Sequence, residues 1–225
     1  MLLLATDTSG THGSIALASC GPGDDAKIVD LVPLTAGAFS AQLVPEIALL
    51  LAKHHFTKHH LEAFAVASGP GSFTGLRVGL AAIKALAEVL EKPIAAVSLL
   101  EAVAWGSRTP GKILVALDAG RKEVYVGEFA SAGRQPRAIS QSLLSREQGF
   151  AAAAHLTLVT PDRELVEAAL AQGVRVEEVR RPRSDVIASL GWQKIQSGET
   201  VSPQELEANY IRRPEAEIFA KNRRP

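Results

Sequence analysis

The feature that most constrains this chain is a short pattern that occurs twice. Ala5-Thr6-Asp7-Thr8-Ser9 is followed by Ser14-Ile15-Ala16-Leu17, and Ala116-Leu117-Asp118-Ala119-Gly120 is followed by Val124-Tyr125-Val126. Each time an apolar run ends in Asp-x-small and a second apolar run returns, the pattern of strand, tight turn and antiparallel strand. Two halves that open alike imply duplication. Helical periodicity follows each hairpin, so the fold class is α/β. The chain turns polar at Ser107 to Gly111, with Pro110, which puts the halves at 1–108 and 109–225 and lets the last helix pack back on the first half.

In the first half, strands are expected at Leu2–Thr6, Gly13–Ala18 and Lys27–Leu34, then a helix over Ala41–Lys53 capped by Ser40. A strand at Ala63–Ala67, a helix over Gly75–Leu90, a strand at Ile94–Val97 and a helix over Leu99–Trp105 follow. In the second half, strands are expected at Ile113–Leu117, Val124–Phe129, Leu156–Val159 and Val174–Val179, with helices over Ser145–Ala154, Asp162–Ala171 and Asp185–Ser197.

Charge and cysteine usage narrow the function classes. The 225 residues carry 24 Lys plus Arg against 24 Asp plus Glu, a formal net charge of zero. A protein that grips nucleic acid alone usually has a basic excess, because phosphate neutralisation supplies most of the affinity. The single cysteine, Cys20, excludes an internal disulfide and fits a reducing compartment. The opening apolar run lacks a basic n-region and stops at Asp7, unlike a signal peptide. No apolar stretch approaches the ~20 residues of a membrane span, so the expected location is the cytoplasm.

The sharpest local motif is Ser68-Gly69-Pro70-Gly71-Ser72-Phe73-Thr74-Gly75-Leu76-Arg77-Val78-Gly79, between a strand and a helix. Glycines there let backbone amides approach a ligand, and a helix N-terminus favours an anion. The spacing fits neither a Walker loop nor the dinucleotide fingerprint. The alternative is a tight turn with Thr74 as cap and glycines for close packing, and the spacing favours it. Asp7, Thr8, Ser9, Gly69, Gly71, Ser72, Thr74, Gly75, Arg77 and Asp118 are the candidates for anion or nucleotide contact. Taken singly, Asp7 and Asp118 read as turn caps; as a pair, they suggest phosphate or metal-nucleotide binding. His54, His55, His59 and His60 form a cluster whose i,i+4 pair has metal-ligand spacing, but no Cys or carboxylate group joins it, and a solvated helix end is the plainer reading. Gly75, Gly79, Ala82 and Ala85 line the long helix with small residues, a face for close helix contact in the core or with a second subunit. Lys221-Asn222-Arg223-Arg224 reads as a solvated tail. No nucleophile–base pairing is readable.

The opening Asp7 hairpin, the block Gly69 to Gly79, Leu117-Asp118-Ala119-Gly120-Arg121-Lys122-Glu123-Val124-Tyr125 and the late triplet Tyr210-Ile211-Arg212 together resemble the bacterial TsaB (YeaZ) family. The likeness is dense over roughly the first 130 residues and thin from there to Tyr210. It implies the actin/sugar-kinase/heat-shock (ASKHA) fold, two linked ribonuclease-H-like halves. It also implies a role in making N6-threonylcarbamoyladenosine at position 37 of tRNAs, paired with the related subunit TsaD and joined by the ATPase TsaE. The resemblance further implies a homodimer when the chain is alone, tRNA contact only through the complex, no cofactor of its own, and ATP or ADP at the level of the complex. TsaD-type proteins carry Val-Asn-His-x-Glu-Gly-His, whose histidines bind the catalytic metal. The matching stretch here is Val97-Ser98-Leu99-Leu100-Glu101-Ala102-Val103, so Leu99 and Val103 stand at the ligand positions and a non-catalytic subunit is expected. The family's pairing helices map to Ala41–Lys53 and Gly75–Leu90, with Leu43, Ile47, Leu50, Gly75, Val78, Gly79 and Ala82 as the implied interface.

The competing class is an ASKHA-fold kinase phosphorylating a small molecule with ATP. Such enzymes use a glycine-pair adenosine loop late in the chain, and only the well-separated Gly191 and Gly198 lie between Val179 and Gly198. A metalloprotease, the other alternative, lacks ligands at Leu99 and Val103.

Overall fold

The computed structural model describes residues 1–35, 37–132 and 135–211. The chain divides into two compact units, Met1–Gly106 with Arg181–Ala208, and Ser107–Arg180 with Asn209–Pro225. Arg181–Ala208, which carries the last helix, groups with the first unit, the packing back on the first half that was expected of that helix.

Unit 1 is a five-stranded sheet of order β3-β2-β1-β4-β5, built from β1 (Leu2–Asp7), β2 (Gly13–Ser19), β3 (Lys27–Leu34), β4 (Leu61–Gly69) and β5 (Ile94–Ser98). The first three strands are antiparallel, and β4 and β5 add in parallel. Strand alternation sends Leu2, Leu4, Ile15, Leu17, Phe64 and Val66 to one face, where they meet α1 (Phe39–Lys53) and α2 (Phe73–Leu90). Full burial of a side chain such as Phe64 stabilises by about 1.5–3 kcal/mol. The opposite face is rich in small residues: Ala5, Ala16, Ala63, Ala65 and Ala95 are all buried there, beside Leu3 and Val97. Those alanines let α6 (Ser184–Ser197) lie close on the sheet, and a Cβ on its Gly191 would collide with that of Ala65. Gly198 ends α6 at φ 78 as a left-handed cap. Each late glycine thus has a packing or capping role. The short α3 (Leu99–Trp105) completes the unit.

Unit 2 repeats the order as β10-β9-β6-β7-β8. Its strands are β6 (Gly111–Gly120), β7 (Glu123–Ala132), β8 (Gln135–Ser145), β9 (Thr157–Thr160) and β10 (Val176–Glu178), with α4 (Arg146–Ala152) and α5 (Arg163–Ala171). Again three strands are antiparallel and two join in parallel. Two sheets of one order, each opened by an Asp turn, make two ribonuclease-H-like halves. Strand β8 lies where no strand was expected, and Arg212 and the basic tail lie outside the described residues. The expected cap of α1 is corrected: the helix begins at Phe39 after Ala38, which offers no side-chain hydrogen bond, and Ser40 is already inside it.

Candidate functional site

The first Asp turn is sealed by its own chain. Asp7 Oδ1 accepts hydrogen bonds from Ser9 N at 2.9 Å and Ser9 Oγ at 2.6 Å. Burial pushes the Asp7 carboxyl up from its ordinary range, against the lowering effect of both Ser9 bonds and of the Arg181 charge. Thr8 Oγ1 donates to Gly75 O at 2.7 Å, and Ser72 N donates to Ser9 O at 2.6 Å. These bonds hold the glycine-rich loop and the first turns of α2 against Thr8 and Ser9.

The glycine spacing follows from that contact. A Cβ on Gly71 would strike Ser9 O, and one on Gly75 would strike Thr8 O. One on Gly79 would come within 2.5 Å of Thr8 Oγ1. Positions 71, 75 and 79 are four apart, so they fall on one side of the loop-to-helix run. The cap is corrected from Thr74 to Ser72, whose Oγ accepts from Gly75 N at 3.3 Å, while Thr74 is exposed. Gly69 at φ 114 ends β4. Exposed Arg77 stacks on Phe73, its guanidinium 3.7 Å from the ring centre. The structure thus gathers Asp7, Thr8, Ser9, Ser72 and Gly75 into one hydrogen-bonded knot, with Gly71 packed against Ser9.

Asp118 belongs to unit 2 and is exposed. Its Oδ1 accepts from Arg146 Nη2 at 2.9 Å, and its N donates to Asp162 Oδ2 at 2.7 Å. The hairpin beyond it turns through Gly120, Arg121 and Lys122 at φ 70, 55 and 61.

Most of the implied interface set points inward within unit 1. Leu43, Ile47 and Leu50 are buried in the unit 1 core, and Gly75 and Gly79 are buried as well. Val78 and Ala82 are half-buried and pack on that core. The outward stripe is different. On α1 it runs through Ala41, Val44, Pro45, Ala48, Leu49 and Ala52, with Val44 58% and Leu49 62% exposed. On α2 it runs through Phe73, Arg77, Ala81, Ala85 and Val89, the last 70% exposed. Both faces of α1 are apolar, and sequence periodicity marks the inward one.

Leu99 and Val103 on α3 are buried aliphatic side chains. In the histidine cluster, His54 Nε2 lies 2.8 Å from Asp30 Oδ2, and Thr57 N donates to His60 Nδ1. Lys53 and His54 together hold the Asp30 carboxyl well below the usual range. Among the described residues no group of three His, Cys, Asp or Glu side chains is placed to hold a metal. Among them, too, no helix is long and apolar enough to cross a membrane.

Two matching sheets with paired Asp turns define a two-unit protein of the ASKHA fold. A family model described as "TsaD: tRNA N6-adenosine threonylcarbamoyltransferase" matches residues 31–148, over half of the chain. A Bacillus subtilis protein named tRNA threonylcarbamoyladenosine biosynthesis protein TsaB is 37% identical over 130 residues, covering 57% of this chain and 55% of that protein. A Mycobacterium leprae protein is 29% identical over the whole chain, which spans 58% of that relative's length. The solved structure of YeaZ from Pseudomonas aeruginosa superposes with a TM-score of 0.75 at 26% identity, covering 93% of this chain and 99% of that one. The chain belongs to the TsaB/YeaZ family.

Proposed function

We propose that this chain is a non-catalytic partner subunit in the formation of N6-threonylcarbamoyladenosine on tRNA, pairing with TsaD and working with TsaE. The observation that carries this reading is the outward apolar stripe of α1 and α2, where Val44, Leu49 and Val89 stand in water beside five alanines of the same stripes. Exposed apolar surface of that kind marks a protein-binding face. An aromatic residue and an arginine stacked at its end, Phe73 and Arg77, are side chains that carry binding energy at interfaces. A non-catalytic role is supported by aliphatic Leu99 and Val103 at the positions where the family's catalytic paralogue has metal-binding histidines. Nucleotide, ATP or ADP, then acts at the level of the complex, and tRNA is reached through the complex in the cytoplasm. Alone, the chain forms a homodimer through the same stripe.

Leu49→Glu tests the assignment. It puts a charge on the stripe without touching the core, so it is expected to abolish pairing with TsaD while thermal stability stays within a few degrees. Unchanged pairing would remove this face from the reading.

A further inference from the structure

The chain passes between the units at Gly106–Ser107, at Arg180–Arg181 and at Ala208–Asn209. Just past the first crossing, Ser107-Arg108-Thr109 is held by one carboxylate, that of Glu177 on β10, which lies shortly ahead of the second crossing. Ser107 Oγ donates to Glu177 Oε2 at 2.6 Å, Thr109 Oγ1 to Oε2 at 2.8 Å, and Arg108 N to Oε1 at 2.8 Å. Thr109 N is shared between Ser107 Oγ at 3.2 Å and Glu177 Oε2 at 3.3 Å. A segment that merely connects α3 to β6 would leave these groups to water. Here two hydroxyls and two amides converge on a single side chain, and such bonds to an ionised acceptor are the strong ones. Burial raises the Glu177 carboxyl, but the bonds from Ser107, Arg108 and Thr109 outweigh it and hold the group below the usual glutamate range. On the far side of Glu177, Val179 N donates to Thr160 O at 3.1 Å, which anchors the approach to the second crossing on β9.

We propose that Glu177 is a clasp that ties Ser107–Thr109 to β10, so that the segment after the first crossing and the segment that leads to the second are held as one piece within unit 2. This device stands independently of the partner-subunit role. The clasp restricts the conformations that these two segments sample, and its loss leaves the pairing of β6 and β7 unchanged.

Hydrogen exchange and trypsin digestion of the full chain test it, using Glu177→Gln and Thr109→Val. In Glu177→Gln the Arg108 and Thr109 amides are expected to exchange at least about tenfold faster, the loss of one charged hydrogen bond. Exchange in β6 stays at the wild-type rate, and cleavage after Arg108 accelerates. Thr109→Val gives a smaller rise at the same amides and decides the matter alone if Glu177→Gln does not fold. Unchanged exchange at Arg108 and Thr109 overturns the proposal. So does equal acceleration throughout β6 and β7, because Glu177 would then be a general stability residue.

Discussion

The two Asp turns share a sequence pattern and a strand topology, yet one is sealed and the other open. In unit 1 the segment after β4 is a glycine-rich loop whose Ser72 amide reaches Ser9 O and whose glycines admit Thr8 and Ser9 at contact distance. In unit 2 the matching segment after β9 is Thr160-Pro161-Asp162, which has no glycine. There the polarity reverses, and a side-chain carboxylate, Asp162 Oδ2, accepts from the turn's own amide at Asp118. Asp7 ends buried against Ser9, whereas Asp118 stays in solvent beside Arg146. The hairpin sets where the Asp stands, and the segment after the parallel strand decides whether anything else can reach it.

The largest test of that contrast is Gly75→Ala. The added methyl would strike a backbone carbonyl, so unfolding in urea should show a loss of about 3 kcal/mol, the upper range of overpacking. A loss under about 1 kcal/mol would mean that the loop and Thr8 separate easily. Gly120→Ala in the open turn should cost only about 1 kcal/mol, because nothing lies near its Cβ and only the left-handed backbone at φ 70 resists. An equal loss at both glycines would erase the distinction between the turns.

Asp7→Asn sharpens the comparison through pH. The folded Asp7 carboxyl is raised above its unfolded value of about 3.9. Its contribution is therefore fully present below that unfolded value and is lost as pH rises through the folded one. Relative to the wild type, Asp7→Asn should gain stability on going from acid to neutral pH, measured by urea titration at each pH. A difference that does not change with pH would show that the carboxyl is not perturbed. Arg146→Ala should have the smallest effect, about 0.5 kcal/mol by thermal unfolding, since its pair with Asp118 is half in solvent.

Much of the fold was legible because burial imposes period and punctuation. The bounds of β3 and of α3 follow from apolar runs set between turn residues. Strand β8 was not legible: Gln135 to Ser142 is mostly polar, includes Pro136, and lies at a sheet edge where solvent accepts any side chain. The glycine spacing signals close packing, but it does not choose between Thr74 and Ser72 as cap, because either hydroxyl suits a helix start and only tertiary contact selects Ser72. On α1, apolar residues fill both faces, so periodicity named Leu43, Ile47 and Leu50 while Val44 and Leu49 form the outer stripe. What sequence alone does not encode locally is which of two apolar faces turns inward.

The central claim, that the outer stripe of α1 and α2 is a partner-binding face, is tested most directly by light scattering on the chain mixed with TsaD from the same organism, for wild type and Leu49→Glu in parallel. The account predicts a one-to-one complex with the wild type and separate species with the variant. No complex with the wild type, even with nucleotide and TsaE present, or an undiminished complex with the variant, would contradict it.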